Sequence, residues 1–383
     1  MSQSPLHQAA IVGVYNTRQA VRLDLDEYAL LREAIQGALA DAGLATSDVD
    51  GLNVRSSVRR LNPRDAVMLF GGRPCWTGST LGVEAVMEAA CAIATGQCDT
   101  VLLADAQAGE YTKRAMTSPW TRPDHEFVEC WGLYTAAEFA LIARRHMHLY
   151  GTRPEALAEV ASAIRSNGGR NPGAVHYGKT VTPEDVLASR LVAEPFHLLD
   201  CAINSEGGCG LVMTSVERAR DLPVTPVYVL GGAVERQGMS YVAPPVWDRY
   251  GWVGRRAAER SFAQCGLAPE DVDVCEFYDP FSFEVIRQFE AYGFCKEGEG
   301  GDFVMGGRIR IGGEFPVVTG GGLLSFSHTH TGQLLQKVIG SVLQLQGRMP
   351  EELRVPGARV AMTSNGGAGA LFCDVMLLGT ERP

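Results

Sequence analysis

Tyr278 and His328 are the side chains best suited to move a proton. Tyr278 follows the apolar run Val274-Cys275-Glu276-Phe277, and His328 follows the glycine-rich stretch Gly320-Gly321-Gly322-Leu323-Leu324-Ser325-Phe326-Ser327. A phenol donates a hydrogen bond or, once ionised, acts as a base; imidazole does either near neutrality. Each also has a plain structural reading, as a core ring with a satisfied hydroxyl or as a loop residue. His330 reads as a surface or supporting group. Residues 71–105 join a glycine-rich turn, an almost wholly apolar helix expected over 79–95, and an apolar strand. Gly78 and Ser79 at that helix start set an N-cap hydroxyl and free backbone N–H groups before whatever lies in front, where a nucleophile or an anion is favoured. Cys75, just upstream, is the alternative nucleophile. In Asn365-Gly366-Gly367 the glycine N–H groups and the Asn amide can face an oxyanion, against the plain reading of a turn before a strand over 370–378.

The elements that must position these residues repeat along the chain. An apolar strand over 10–14 and a helix over 30–42 ended by Gly43 are followed by Ser47-Asp48-Val49-Asp50 and a strand over 51–54. The same grammar returns as a strand over 227–231, a helix over 255–264 ended by Gly266, Pro269-Glu270-Asp271-Val272-Asp273 and a strand over 274–277. This is an internal duplication and predicts a two-halved α/β architecture. The halves are expected at 1–221 and 222–383. The first carries an insert, or loop domain, at about 110–199, more polar in texture, with Trp120, Trp131 and helices over 136–150 and 154–166.

Composition narrows the function classes. The chain has 383 residues, 46% hydrophobic and 20% charged, as an ordinary soluble globular protein does. A formal net charge of −10 argues against nucleic acid as a partner, because phosphate binding needs a basic footprint. No run is long enough to span a membrane and the start lacks a signal-peptide pattern, so a cytoplasmic protein is expected. The ten cysteines are scattered without paired spacings, and several, among them Cys91, Cys201, Cys209 and Cys373, lie in apolar segments and read as reduced core residues. No CxxC occurs, and neither His146-Met147-His148 nor His328-Thr329-His330 has partners at metal-ligand spacing, so no metal is expected.

Three motifs carry a resemblance to the thiolase superfamily, of the sterol-carrier-protein type. The apolar helix ends in Ile93-Ala94-Thr95-Gly96, as the nucleophile helix of that family does. Counting back from Gly96 puts Ser79 at the family's cysteine, whereas aligning Cys75-Trp76-Thr77-Gly78-Ser79 with the family's CATGS puts it at Cys75 but needs an extra helical turn. The segment from Arg144-Arg145 through Tyr150-Gly151-Thr152, Asn171-Pro172, Val186-Leu187-Ala188-Ser189-Arg190 and Glu194-Pro195 to Leu199-Asp200-Cys201 is similar to the family's loop domain, which shapes its coenzyme A and acyl pocket. Residues 320–332 resemble GGxxSxGHPxGxxG, with Thr329 for the proline and His328 at the catalytic histidine. The resemblance implies a duplicated βαβαβαββ fold in five layers. Glu206, where the family has a shorter Asp, reads as structural.

The departures from the family decide the expected reaction. Tyr278 stands at the histidine of the family's His-Asp-Cys-Phe, and Asn365-Gly366-Gly367 lacks the acid/base cysteine of its Cys-x-Gly-Gly-Gly. With Ser79 at the nucleophile position both thiolase cysteines are gone, and no acyl-enzyme is expected. This pattern resembles the thiolase-fold aldolases of steroid side-chain degradation. That resemblance implies retro-aldol cleavage of a β-hydroxyacyl-CoA to a ketone and acetyl- or propionyl-CoA, with Tyr278 as base, His328 as its partner, and Asn365, Gly366 and Gly367 at the thioester oxygen. It implies no cofactor beyond the substrate's own CoA, and a homodimer core with an OB-fold or MaoC-like partner protein. Chains of this fold pair through strands beside the nucleophile helix, and Val101-Leu102-Leu103-Ala104 is the strand expected to do so. The rival readings are a degradative thiolase using Cys75, a non-catalytic subunit of an acyltransferase complex, and a lipid-binding module.

Overall fold

The computed structural model describes residues 4–56, 61–109, 135–237, 252–329, 331–367 and 372–382. The strands of its main sheet are Ala9–Asn16 (β1), Gly51–Ser56 (β2), Trp76–Thr77 (β3), Thr100–Gln107 (β4), Gly207–Ser215 (β5), Val227–Arg236 (β6), Val274–Glu276 (β7), Val360–Gly367 (β8) and Phe372–Gly379 (β9). They form a nine-stranded sheet in the order β3-β2-β4-β5-β1-β6-β9-β8-β7. The order is two copies set back to back. In each, a parallel pair (β2 with β4, β7 with β8) is followed by two antiparallel steps. The copies meet where β1 pairs with β6, at Ala10↔Tyr228 and Ile11↔Val227.

The principal helices are Glu27–Ala42 (α1), Gly82–Ala94 (α2), Thr135–Tyr150 (α3), Pro154–Arg170 (α4), Arg255–Cys265 (α5), Ser282–Ala291 (α6) and Gly332–Leu345 (α7). Val83, Val86, Ala89, Ala90 and Ile93 of α2 share one core with Leu335, Val338, Ile339 and Val342 of α7. Strand residues of both halves join it, among them Ile11, Val101, Leu211, Val274, Ala361 and Met376. The two helices therefore form a central layer between the halves of the sheet. On the outer face of the first half, α1 packs Leu30, Leu31 and Ala38 against Val12, Leu52, Leu102 and Val212. On the outer face of the second, Ala257, Ala258 and Phe262 of α5 join Val375, Leu377 and buried residues of α3, α4 and α6. Fully burying each Val, Leu or Ile is worth about 1.5–3 kcal/mol, so the central layer binds the halves together.

The glycine stops are as expected: Gly43 and Gly266 end α1 and α5 with φ of 68° and 71°, the left-handed cap conformation. Several expectations need correction. The strand holding Val101 to Ala104 is not an edge. The α2 crossover delivers β4 beside β2, and β5 returns antiparallel on its other side, so the first half ends at the two-residue β3. Cys91 is exposed, because it falls on the side of α2 away from the central core, whereas Cys98, Cys209, Cys275 and Cys373 are buried thiols. Gly366 and Gly367 lie in β8, paired with Cys373 and Phe372, not in a turn. Helix α4 runs on to Arg170. Trp120, Trp131 and His330 lie outside the described residues. Among the described residues no helix is long and apolar enough to cross a membrane, and no group of His, Cys, Asp and Glu could hold a metal.

Candidate active site

The site is built around the first turn of α2. That helix starts at Gly82, not at Ser79, and Leu81 at its N-cap offers no side-chain acceptor. The acceptor comes from β8: Val83 N–H donates to Asn365 Oδ1 at 2.6 Å. Gly82 has φ of 54°, and a Cβ there would lie 2.0 Å from Asn365 Oδ1 and 2.5 Å from Leu334 Cβ, so only glycine lets the second half close over the helix start. Asn365 Nδ2 donates to Leu334 O and Ser364 O. Both ends of the amide are therefore committed to structure, which corrects the expectation that Asn365 faces a thioester.

Ser79 is also displaced from its expected place. It is exposed, three residues before the helix, its N–H and hydroxyl donate to Glu88, and its carbonyl accepts from Arg55. The cavity at the start of α2 is lined by Thr80, Leu81 and Gly82 instead. Cys75 lies at the opposite end. Its thiol is 3.4 Å from Asp50 O and 3.4 Å from Gln97 O, beyond the C-terminus of α2. A 13-residue helix is roughly 20 Å long, so Cys75 is remote from Tyr278, Gly366 and the helix start.

Tyr278 packs at that helix start against Leu81, and His328 is tied to the adjoining segment Ala202-Ile203. The Tyr278 backbone is pinned: its N–H donates to Ser364 Oγ at 3.0 Å and its carbonyl accepts from Gln288 Nε2 at 2.7 Å. The ring is buried in a small cluster with Leu323 and Leu334, with Leu81 and Ala202 packed against it. It also lies against Gly366, where an added Cβ would sit 3.1 Å from Tyr278 Cδ1. His328 is half-buried; its N–H donates to Ser205 Oγ and its Nδ1 is 2.8 Å from Ile203 O. A carbonyl only accepts, so Nδ1 carries the proton and Nε2 is the basic nitrogen of the neutral ring. The intervening segment joins the two: Ala202 N–H donates to Pro280 O and Ile203 N–H to Leu323 O.

Two residues escaped the sequence reading. Asp279, next to Tyr278, accepts from Leu323 and Leu324 N–H and forms a buried ion pair with Lys337 of α7. It fixes the π-turn Gly322–Phe326 that leads into His328. Burial pushes its carboxyl above the ordinary range, while Lys337 pulls the other way. The signal was there, an acid inside an apolar motif. Asp105, at the end of β4, accepts from the Thr331 hydroxyl and lines the cavity with the start of α2. It stood in the sequence as the last residue of an apolar strand. Glu206 is structural as expected, accepting from Leu23 and Gly109 N–H.

Duplicated halves about a shared helix layer, with the site at the start of the first buried helix, define a thiolase fold. Residues 252–380 match the thiolase C-terminal domain-like family. The chain is 36% identical to the 17-hydroxy-3-oxo-4-pregnene-20-carboxyl-CoA lyase of Mycobacterium tuberculosis, over 89% of this chain and 92% of that protein. It is 35% identical to a steroid side-chain-cleaving aldolase of Thermomonospora curvata, over 84% and 87%. Among solved structures, an Ltp2-ChsH2(DUF35) aldolase superposes with a TM-score of 0.84 at 31% identity, over 97% of this chain and 98% of that one. The chain belongs to the thiolase superfamily, with the thiolase-fold steroid side-chain-cleaving aldolases.

Proposed function

We propose that this protein is a lyase that cleaves the Cα–Cβ bond of a β-hydroxyacyl-CoA bearing a steroid or similar side chain, releasing a ketone and acetyl- or propionyl-CoA. The observation that carries the reading is the exchange of machinery at the start of α2. Among the described residues no cysteine lines the cavity there, Ser79 is tied to Glu88, and the Tyr278 ring packs beside Gly366. The activities named for the relatives support the same class of reaction.

In this reading ionised Tyr278 takes the proton of the β-hydroxyl, and the bond electrons flow into the thioester as an enolate as the ketone leaves. His328, its Nδ1 proton held by Ile203 O, presents Nε2 to orient the hydroxyl or to exchange a proton with Tyr278. Of Gly366 and Gly367, which alternate in the β8–β9 ladder, the one whose backbone N–H points away from β9 offers it to the enolate oxygen. No cofactor beyond the substrate's CoA takes part. The name of the structurally similar aldolase pairs it with ChsH2(DUF35), which supports a complex with a partner protein; we take that partner to be a small OB-fold or MaoC-like protein and the core to be a cytoplasmic homodimer. Pairing of two chains along β3, the end strand of the sheet among the described residues, suits that assembly.

The test is turnover of a steroid β-hydroxyacyl-CoA with no free CoA present. Equal amounts of ketone and short acyl-CoA are expected; a strict requirement for free CoA would replace this reading with a thiolase. Sedimentation tests the assembly, and a stable monomer at micromolar concentration counts against it.

A further inference from the structure

The retro-aldol reading leaves one step without a residue, because the enolate's α-carbon must gain a proton before the short acyl-CoA can leave. We propose that Asp105 supplies that proton, through a water held in the cavity at the start of α2; the assignment rests on the aldolase reading. Asp105 is only 5% exposed. Its Oδ2 accepts from the Thr331 hydroxyl, and its Oδ1 has no hydrogen-bond partner among the described residues. A buried polar atom left unpaired costs about 1–3 kcal/mol, so Oδ1 calls for an occupant of the space beside it. That space is a cavity of about 20 Å³ between Asp105, Arg55, Thr80, Leu81 and Gly82. One water needs roughly 10–15 Å³. Leu81, on its wall, also packs against Tyr278, so the two proton-transfer groups flank the same first turn.

Burial pushes the Asp105 carboxyl up to about 7, against the pull of Thr331 and Arg55. The group is therefore largely protonated just below neutrality, as a donor must be. The proton count closes. Tyr278 takes the hydroxyl proton, the Cα–Cβ electrons form the enolate, Asp105 protonates Cα through the water and becomes a carboxylate, and solvent returns the proton from Tyr278 to Asp105. Nothing is oxidised or reduced.

Run backwards, the same group removes an α-proton from the product, which separates it from Tyr278. The probe is propionyl-CoA alone in deuterium oxide, followed by mass spectrometry, beside cleavage of the β-hydroxyacyl-CoA. Asp105→Asn is expected to slow deuterium entry on the order of a hundredfold, while Cys75→Ala, beyond the far end of α2, leaves it within a few-fold of wild type. Wild-type exchange in a folded Asp105→Asn, or no exchange by the wild-type chain, overturns the assignment. A wild-type chain that cleaves no β-hydroxyacyl-CoA overturns the aldolase reading itself. Should Asp105→Asn fail to fold, Thr331→Val, which frees the carboxyl from its orienting hydroxyl, is expected to slow exchange about tenfold as an acid–base partner is misplaced; an unchanged rate overturns the assignment equally.

Discussion

Val83 N–H donates to Asn365 Oδ1 at 2.6 Å, so a side chain of the second half caps the buried helix of the first. The bond lies where the halves close, between the strand that carries Gly366 and the helix start that carries the cavity. Asn365→Ala leaves a buried N–H unpaired and opens a void beside Gly82. A loss of about 1–3 kcal/mol of stability is expected, measured by denaturant titration. A change within a few tenths would mean the cap is made by another group.

Cys75→Ala, or alkylation of Cys75, is expected to leave carbon–carbon cleavage within two-fold of wild type, a bound of about 0.4 kcal/mol on any transition-state role. The thiol lies beyond the far end of α2, against Asp50 O and Gln97 O. Steady-state kinetics on the variant checks this. Abolished turnover in a folded Cys75→Ala protein would restore the thiolase reading.

The duplication, the capping glycines and the neighbourhood of Tyr278 and His328 were legible because each is written in local sequence. Apolar periodicity sets strands and helices, and motif spacing sets which loops lie at the strand ends. What was not legible depends on groups far apart in the chain. Ser79 looked like an N-cap because hydroxyls before apolar helices usually are, but Asn365 caps the helix and moves its start to Gly82. Val101 to Ala104 looked like an edge because nothing in an apolar strand says what pairs with it; β5, far downstream, supplies the second neighbour. Asp105 was passed over because its chemistry comes from burial and from Thr331, neither visible at its own position.

The contribution of Asp105 to stability should fall as pH rises through the neutral range. Burial raises the Asp105 carboxyl from 3.8 to about 7, so the folded chain holds a proton that the unfolded chain gives up. The stability this contributes is complete below about pH 4, the unfolded value, and is lost as pH rises through the folded value. At about 1.4 kcal/mol for each tenfold in proton affinity, the loss is a few kcal/mol at most. Asp105→Asn removes that dependence, while Asp374, raised by burial to about 6, remains in both proteins. The drop in Tm between pH 5 and pH 8, both ordinary working values, is therefore expected to be smaller in Asp105→Asn than in wild type. Equal drops would place the proton elsewhere.

Tyr278 is the centre of the account, and Tyr278→Phe tests it most directly. The substitution removes the hydroxyl and keeps the ring that packs with Leu323, Leu334 and Gly366, so fold and substrate binding should change little. The measurement is kcat for cleavage of a steroid β-hydroxyacyl-CoA without free CoA, beside the dissociation constant of the same thioester. A fall in kcat on the order of a hundred- to ten-thousand-fold, with binding nearly unchanged, is the predicted result. A folded Tyr278→Phe protein that cleaves the substrate at a near wild-type rate would contradict the account and remove Tyr278 from the chemistry.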